Sequence, residues 1–120
     1  MAASPRGIWR VTDRASFDAL RRGRRGRAGA VSVTYVPAAD QPVPRVAFQV
    51  GKRTGGAVVR NRIRRRLRAA MRALDARGAL PAGTYLVGGR AELAEQPWAE
   101  LVADLETAVA QATGAERAAP

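Results

Sequence analysis

The sequence predicts a two-layer α+β domain, with elements in the order α-β-β-α-β-α and a small mixed sheet. Three observations predict it. Two stretches rich in β-branched and aromatic residues, Val31–Val36 and Arg45–Val50, flank a proline-bearing turn. A long segment from about Ala57 to Leu74 repeats its apolar residues at helical spacing. A final segment carries Trp98, Leu101, Val102, Leu105 and Val109 at the same spacing. A chain of 120 residues has room for one core and one domain. Residues 1–10 read as a flexible lead-in, 11–110 as the single domain, and 111–120 as a flexible tail.

In order along the chain, Thr12 or Asp13 can cap a short helix from Arg14 to about Arg22, with Phe17 and Leu20 on one face. The run Arg21-Arg22-Gly23-Arg24-Arg25-Gly26-Arg27 follows and reads as a glycine-broken basic loop. Val31–Val36 is the first strand. Pro37–Pro44, with three prolines and Asp40, is a turn or long hairpin loop. In the second strand Val46, Phe48 and Val50 share one face. Gly51–Gly56 is a connector into the long helix. Pro81-Ala82-Gly83 is a turn, Thr84–Val87 a third strand, and Pro97 suits the first turn of the last helix.

Composition narrows the function. The hydrophobic fraction of 47% fits a folded domain rather than a disordered basic tail. No run of 18 apolar residues occurs to span a membrane, and Met1–Arg10 lacks the apolar stretch of a signal peptide. Cysteine and histidine are absent, which removes disulfides, thiolate metal sites and the commonest neutral-pH acid/base group. A cytoplasmic setting is the default expectation.

The net charge is +11, and it is unevenly placed. Residues 1–75 hold 18 basic and 4 acidic side chains, a net of +14, whereas residues 76–120 hold 3 and 6, a net of −3. Such a division points to one polyanion-facing side, with nucleic acid favoured over an anionic membrane. Of the 21 basic residues, 20 are Arg, a bias shared with the Ala and Gly content; positions therefore carry more weight than totals.

The positions that matter lie on the long helix. At 100° per residue, Val59, Ile63, Leu67, Ala70, Met71 and Leu74 fall within an arc of about 120° that can pack on the sheet. Arg64, Arg65, Arg68 and Arg72 lie opposite, with Asn61 among them, and Arg60, Arg62 and Arg66 flank the apolar face. Like charges at i,i+4, such as Arg60–Arg64 and Arg64–Arg68, each destabilise a helix by about 0.2–0.5 kcal/mol. No Asp or Glu occurs between Arg53 and Arg72 to relieve the repulsion, whereas a merely solvated face mixes its signs. A polyanion resolves the repulsion and releases counterions, and the guanidinium fork suits phosphate. The preceding Gly51-Lys52-Arg53-Thr54-Gly55-Gly56 puts backbone N–H groups and two cations near the helix start, a phosphate-binding pattern that is not a P-loop.

The whole segment from Val50 to Arg68, with Arg60-Asn61-Arg62 at its centre, resembles the signature of the bacterial ribonuclease P protein subunit. The surrounding order of elements is similar over about residues 8–110. The resemblance implies a fold with a left-handed β-α-β crossover, an exception to the usual right-handed rule. It implies a ribonucleoprotein that removes the 5′ leader of precursor tRNA, in which the RNA subunit is the catalyst and holds the magnesium ions. The protein, a monomer within that particle, would dock on the RNA and bind the leader in a cleft between the first helix and the sheet. By position, Lys52, Arg53, Arg60, Asn61, Arg62, Arg65 and Arg68 match the RNA-facing motif, and Phe17, Val33, Tyr35 and Arg64 match the leader cleft. Aromatic faces suit unpaired bases. Phe17 equally suits a core anchor of its short helix, and Tyr35 an ordinary half-buried strand position.

The chain departs from the family pattern at Gly51, where Ser is common, and at Gly56, where Asn is common. Arg21 stands where a second aromatic would follow Phe17, Arg66 replaces an apolar residue, and Ile8-Trp9-Arg10 replaces the usual lead-in. Two other readings compete: a ribosomal-type structural RNA-binding protein with no role in cleavage, and a self-sufficient nuclease. The nuclease reading is weakest, because a general base or carboxylate cluster is needed and the basic half holds only the scattered Asp13, Asp18, Asp40 and Asp75.

Overall fold

The computed structural model describes residues 9–10, 18–38 and 44–114. Among these residues five strands form one mixed sheet: β1 (Trp9–Arg10), β2 (Arg24–Ala28), β3 (Val31–Pro37), β4 (Arg45–Gln49) and β5 (Gly83–Gly89). Their spatial order is β1-β4-β5-β3-β2. β1 pairs parallel with β4 and β4 parallel with β5, while β5–β3 and β3–β2 are antiparallel. Two long helices among the described residues pack on the sheet, α1 (Ala57–Ala76) and α2 (Trp98–Thr113), with 3₁₀ turns at Lys52–Thr54 and Ala91–Ala94. The β4-α1-β5 unit joins adjacent parallel strands and so is the β-α-β crossover of the fold.

The mixed α+β architecture is the one the sequence predicts, with two strands added. Arg24–Ala28, expected as a loop, is an edge strand: Arg24, Arg25 and Arg27 stay exposed while Gly26 is buried. Trp9–Arg10, expected in the lead-in, extends the opposite edge, with Trp9 beside Arg45 and Arg10 beside Val46. α2 runs to Thr113, past the expected boundary at 110, and Gly114 ends it with φ +80°. Of the expected first helix, Asp18–Leu20 are helical and Leu20 is buried; Phe17 and Asp40 lie outside the described residues.

The core lies between one face of the sheet and the two helices. Val31, Val33, Tyr35, Val46, Tyr85 and Val87 are buried on that face. α1 contributes Ile63, Leu67, Ala70, Met71 and Leu74, as its helical period dictates, and α2 contributes Leu101, Leu105, Ala108, Val109 and Ala112. Trp98, expected in the apolar stripe of α2, is instead exposed at the first helical position, and Pro97 is the residue before it. The ring of Tyr35 stands 4.9 Å from that of Tyr85, and both hydroxyls donate at 2.6 Å to backbone carbonyls, Tyr35 to Ala82 and Tyr85 to Pro81. Burial raises both phenol pKa values.

Candidate RNA interface

α1 begins without a side-chain cap and without an acid in its first turn. Its positive N-terminal end is therefore left for an external anion to balance. Gly51 and Gly56 flank the Lys52–Thr54 turn in extended conformation, so neither needs glycine for its dihedral angles. The turn exposes Lys52 and Arg53 directly before the helix.

Along α1, Asn61, Arg62, Arg65, Arg68 and Arg72 are exposed, and Arg60 and Arg64 are partly buried. Asn61 Oδ1 accepts a hydrogen bond from Arg64 at 2.9 Å, one turn on, which fixes the guanidinium beside the amide. Arg68 lies 5.5 Å from the centre of the Phe48 ring, so its cation is braced on the half-buried aromatic edge of β4. Arg60 Nε is buried and has no hydrogen-bond partner. Arg62 pairs with Glu95 at 3.8 Å. The expected docking residues Lys52, Arg53, Arg60, Asn61, Arg62, Arg65 and Arg68 thus share one connected stretch, the turn and helix from 52 to 68.

The expected leader residues do not come together in the same way. Val33 and Tyr35 belong to the core, because their alternation with Ser32 and Thr34 turns them toward the helices. Tyr35 also spends its hydroxyl on Ala82. Arg64 stands on α1 with Asn61, among the residues expected to dock on RNA. Phe17 lies outside the described residues.

The sheet face away from the helices is polar and basic. Register aligns Arg25, Thr34, Leu86 and Ala47 across four strands, and Arg27, Ser32, Gly88 and Gln49 in the next row. Two open grooves lie on it, one floored by Thr34 and Leu86, the other by Ser32 and Gly88. Arg27 and Gln49 line both, and Arg90 and Gly51 extend the second toward the Lys52–Thr54 turn. A Cβ at Gly88 would fall 2.5 Å from the Gln49 carbonyl oxygen, so the floor is smooth there. Arg25, Arg27, Gln49 and Arg90 are candidate contacts that sequence reasoning missed. The signal available was the i,i+2 spacing of Arg25 and Arg27, hidden by reading their segment as a loop.

The family model for ribonuclease P matches residues 7–113. The chain belongs to the ribonuclease P protein family. The ribonuclease P protein component of Thermobifida fusca is 45% identical over 119 residues, covering 92% of this chain and 78% of that one. That of Thermus thermophilus is 44% identical over 97 residues, covering 81% of this chain and 55% of that one, so the chain spans about half the length of the Thermus relative. Among solved structures, the Staphylococcus aureus RNase P protein superposes with TM-score 0.68 at 21% identity, covering 82% of this chain and 89% of that one. The Thermotoga maritima RNase P protein gives 0.67 at 20%, covering 80% and 90%. These likenesses establish the fold. Family membership makes the chain a ribonuclease P protein subunit, and the ribosomal-type alternative is not favoured.

Proposed function

We propose that this chain assists 5′-leader removal from precursor tRNA in the cytoplasm, as a monomer bound to a catalytic ribonuclease P RNA. The carrying observation is the acid-free, arginine-exposed side of α1 and its entry turn. Docking on RNA neutralises the mutual repulsion of those arginines and releases counterions. Lys52, Arg53, Arg60, Asn61, Arg62, Arg65 and Arg68 supply that docking side. The magnesium of the reaction is assigned to the RNA, as the resemblance implies, and binding and orientation to this chain.

The leader path is proposed over the open sheet face rather than against Val33 and Tyr35. Arg25 and Arg27 offer phosphate contacts at one edge, and Ser32, Thr34 and Gln49 offer neutral hydrogen bonds along the floor. Reconstitution tests the whole reading. The full chain, mixed with a bacterial ribonuclease P RNA and precursor tRNA at low magnesium, restores leader cleavage. A folded protein that gives no stimulation with a matched RNA refutes it. In the same assay, Arg25→Ala with Arg27→Ala weakens binding of leader-bearing substrate more than of mature tRNA; equal losses move the leader elsewhere.

A further inference from the structure

Two arginines one turn apart on α1, Arg62 and Arg66, face the segment that follows β5. Arg66 donates to the backbone carbonyls of Leu93 and Gln96, which bracket Glu95. Glu95 is further held by its own N–H, which donates to the Glu92 carbonyl at 3.1 Å. Its carboxylate meets Arg62 at 3.8 Å. Arg66 therefore fastens this turn to α1.

We propose that Glu95 is a specificity-determining residue that occupies Arg62 until an RNA phosphate displaces it. This rests on the RNA-docking reading of Arg62. Glu95 offers Arg62 the same chemistry as a phosphate, an anionic oxygen acceptor, from a turn fixed to the docking helix itself. The pair is open to solvent, with side chains 52% and 80% exposed, so displacement is easy and the competition is mild. An RNA that presents a phosphate directly at Arg62 replaces the carboxylate in full. An RNA that meets the basic face in many loose registers does so only part of the time, and it bears the repulsion of Glu95 for the rest.

The test is a binding cycle with the full chain, using a bacterial ribonuclease P RNA and an unrelated structured RNA of equal length. Glu95→Gln keeps the shape and removes the charge. It is expected to tighten the unrelated RNA by about two- to fivefold and the ribonuclease P RNA by less. The gain is expected to vanish in an Arg62→Ala background and to exceed that of Glu106→Gln, a charge-matched change at the partner of Arg77. An equal gain with Arg62→Ala, a gain no larger than with Glu106→Gln, or no gain overturns the proposal. Arg62→Ala alone separates the two levels. If it weakens binding and lowers the salt slope while Glu95→Gln does nothing, docking stands and the role of Glu95 falls. If it leaves both affinity and slope unchanged, the docking role of Arg62 falls, and the proposal with it.

Discussion

The backbone N–H of Arg27 donates to Oε1 of Gln111 at 2.9 Å, tying edge strand β2 to the last turns of α2. An edge strand leaves alternate N–H groups unpaired, and this contact closes one of them. The strand and helix approach this closely because Gly26 is between them. A Cβ there would fall 2.1 Å from the Ala108 carbonyl oxygen and 2.9 Å from the Ala112 nitrogen. These are backbone atoms of a packed helix and have nowhere to go. Gly26→Ala is therefore expected to destabilise the fold by about 1–3 kcal/mol, read as a lower urea midpoint. An unchanged midpoint would show that β2 and α2 separate without cost.

The same contact explains what was and was not legible in the sequence. α1 was legible almost to the residue, because Ile63, Leu67, Ala70, Met71 and Leu74 repeat at 3.6 residues and nothing else competes for them. β2 was not, because Arg24–Ala28 has no apolar alternation; its inward position is a glycine, and only α2 gives that glycine a reason. The basic side of α1 was legible as charges of one sign without relief. The inward facing of Val33 and Tyr35 was not, because carrying residues over by position says nothing about which way a strand faces, and a one-residue shift exchanges the faces. Trp98 follows the same rule: its spacing fits the stripe of α2, but the helix begins there and the side chain stays exposed.

Arg66 joins α1 to two carbonyls of the turn at 93–96, a charge-assisted contact on a partly buried side chain. Arg66→Leu puts an apolar side chain at this position but strands those carbonyls. It is expected to cost about 1–3 kcal/mol, with Arg66→Lys losing less because one donor can still reach. Denaturation midpoints of the three proteins check the order. A leucine variant as stable as the parent would show that the turn is held by packing of Leu93 alone.

Arg65 and Arg68 are exposed on the outer side of α1, and neither is engaged by a carboxylate among the described residues. Replacing both with Ala removes the two phosphate contacts proposed for them and little packing, apart from the brace of Arg68 on Phe48. Binding to ribonuclease P RNA is expected to weaken. The slope of log affinity against log salt should fall by about 0.7–0.9 per lost contact. Titrations at several salt concentrations decide it, since a change in affinity without a change in slope would place both side chains off the RNA.

Tyr35 and Tyr85 are the chain's two tyrosines, and their rings and hydroxyls are locked into the same corner of the core. Desolvation by burial raises Tyr35, and raises Tyr85 strongly, with Tyr35 and Asp75 adding to the second shift. The unfolded chain ionises its tyrosines near the ordinary value of 10.0, below the folded values. The unfolded state therefore releases protons first, so this contribution to stability is complete below about pH 10 and is lost as pH rises toward the folded values. Tyrosinate absorbance and helical ellipticity followed together are expected to change in one step above pH 10, with unfolding releasing both phenols. Tyr85→Phe removes the more strongly raised group and should move that step upward in pH after allowing for the lost Pro81 hydrogen bond. Two phenols titrating reversibly near pH 10 while ellipticity holds constant would mean that this corner of the core opens to solvent in the native state.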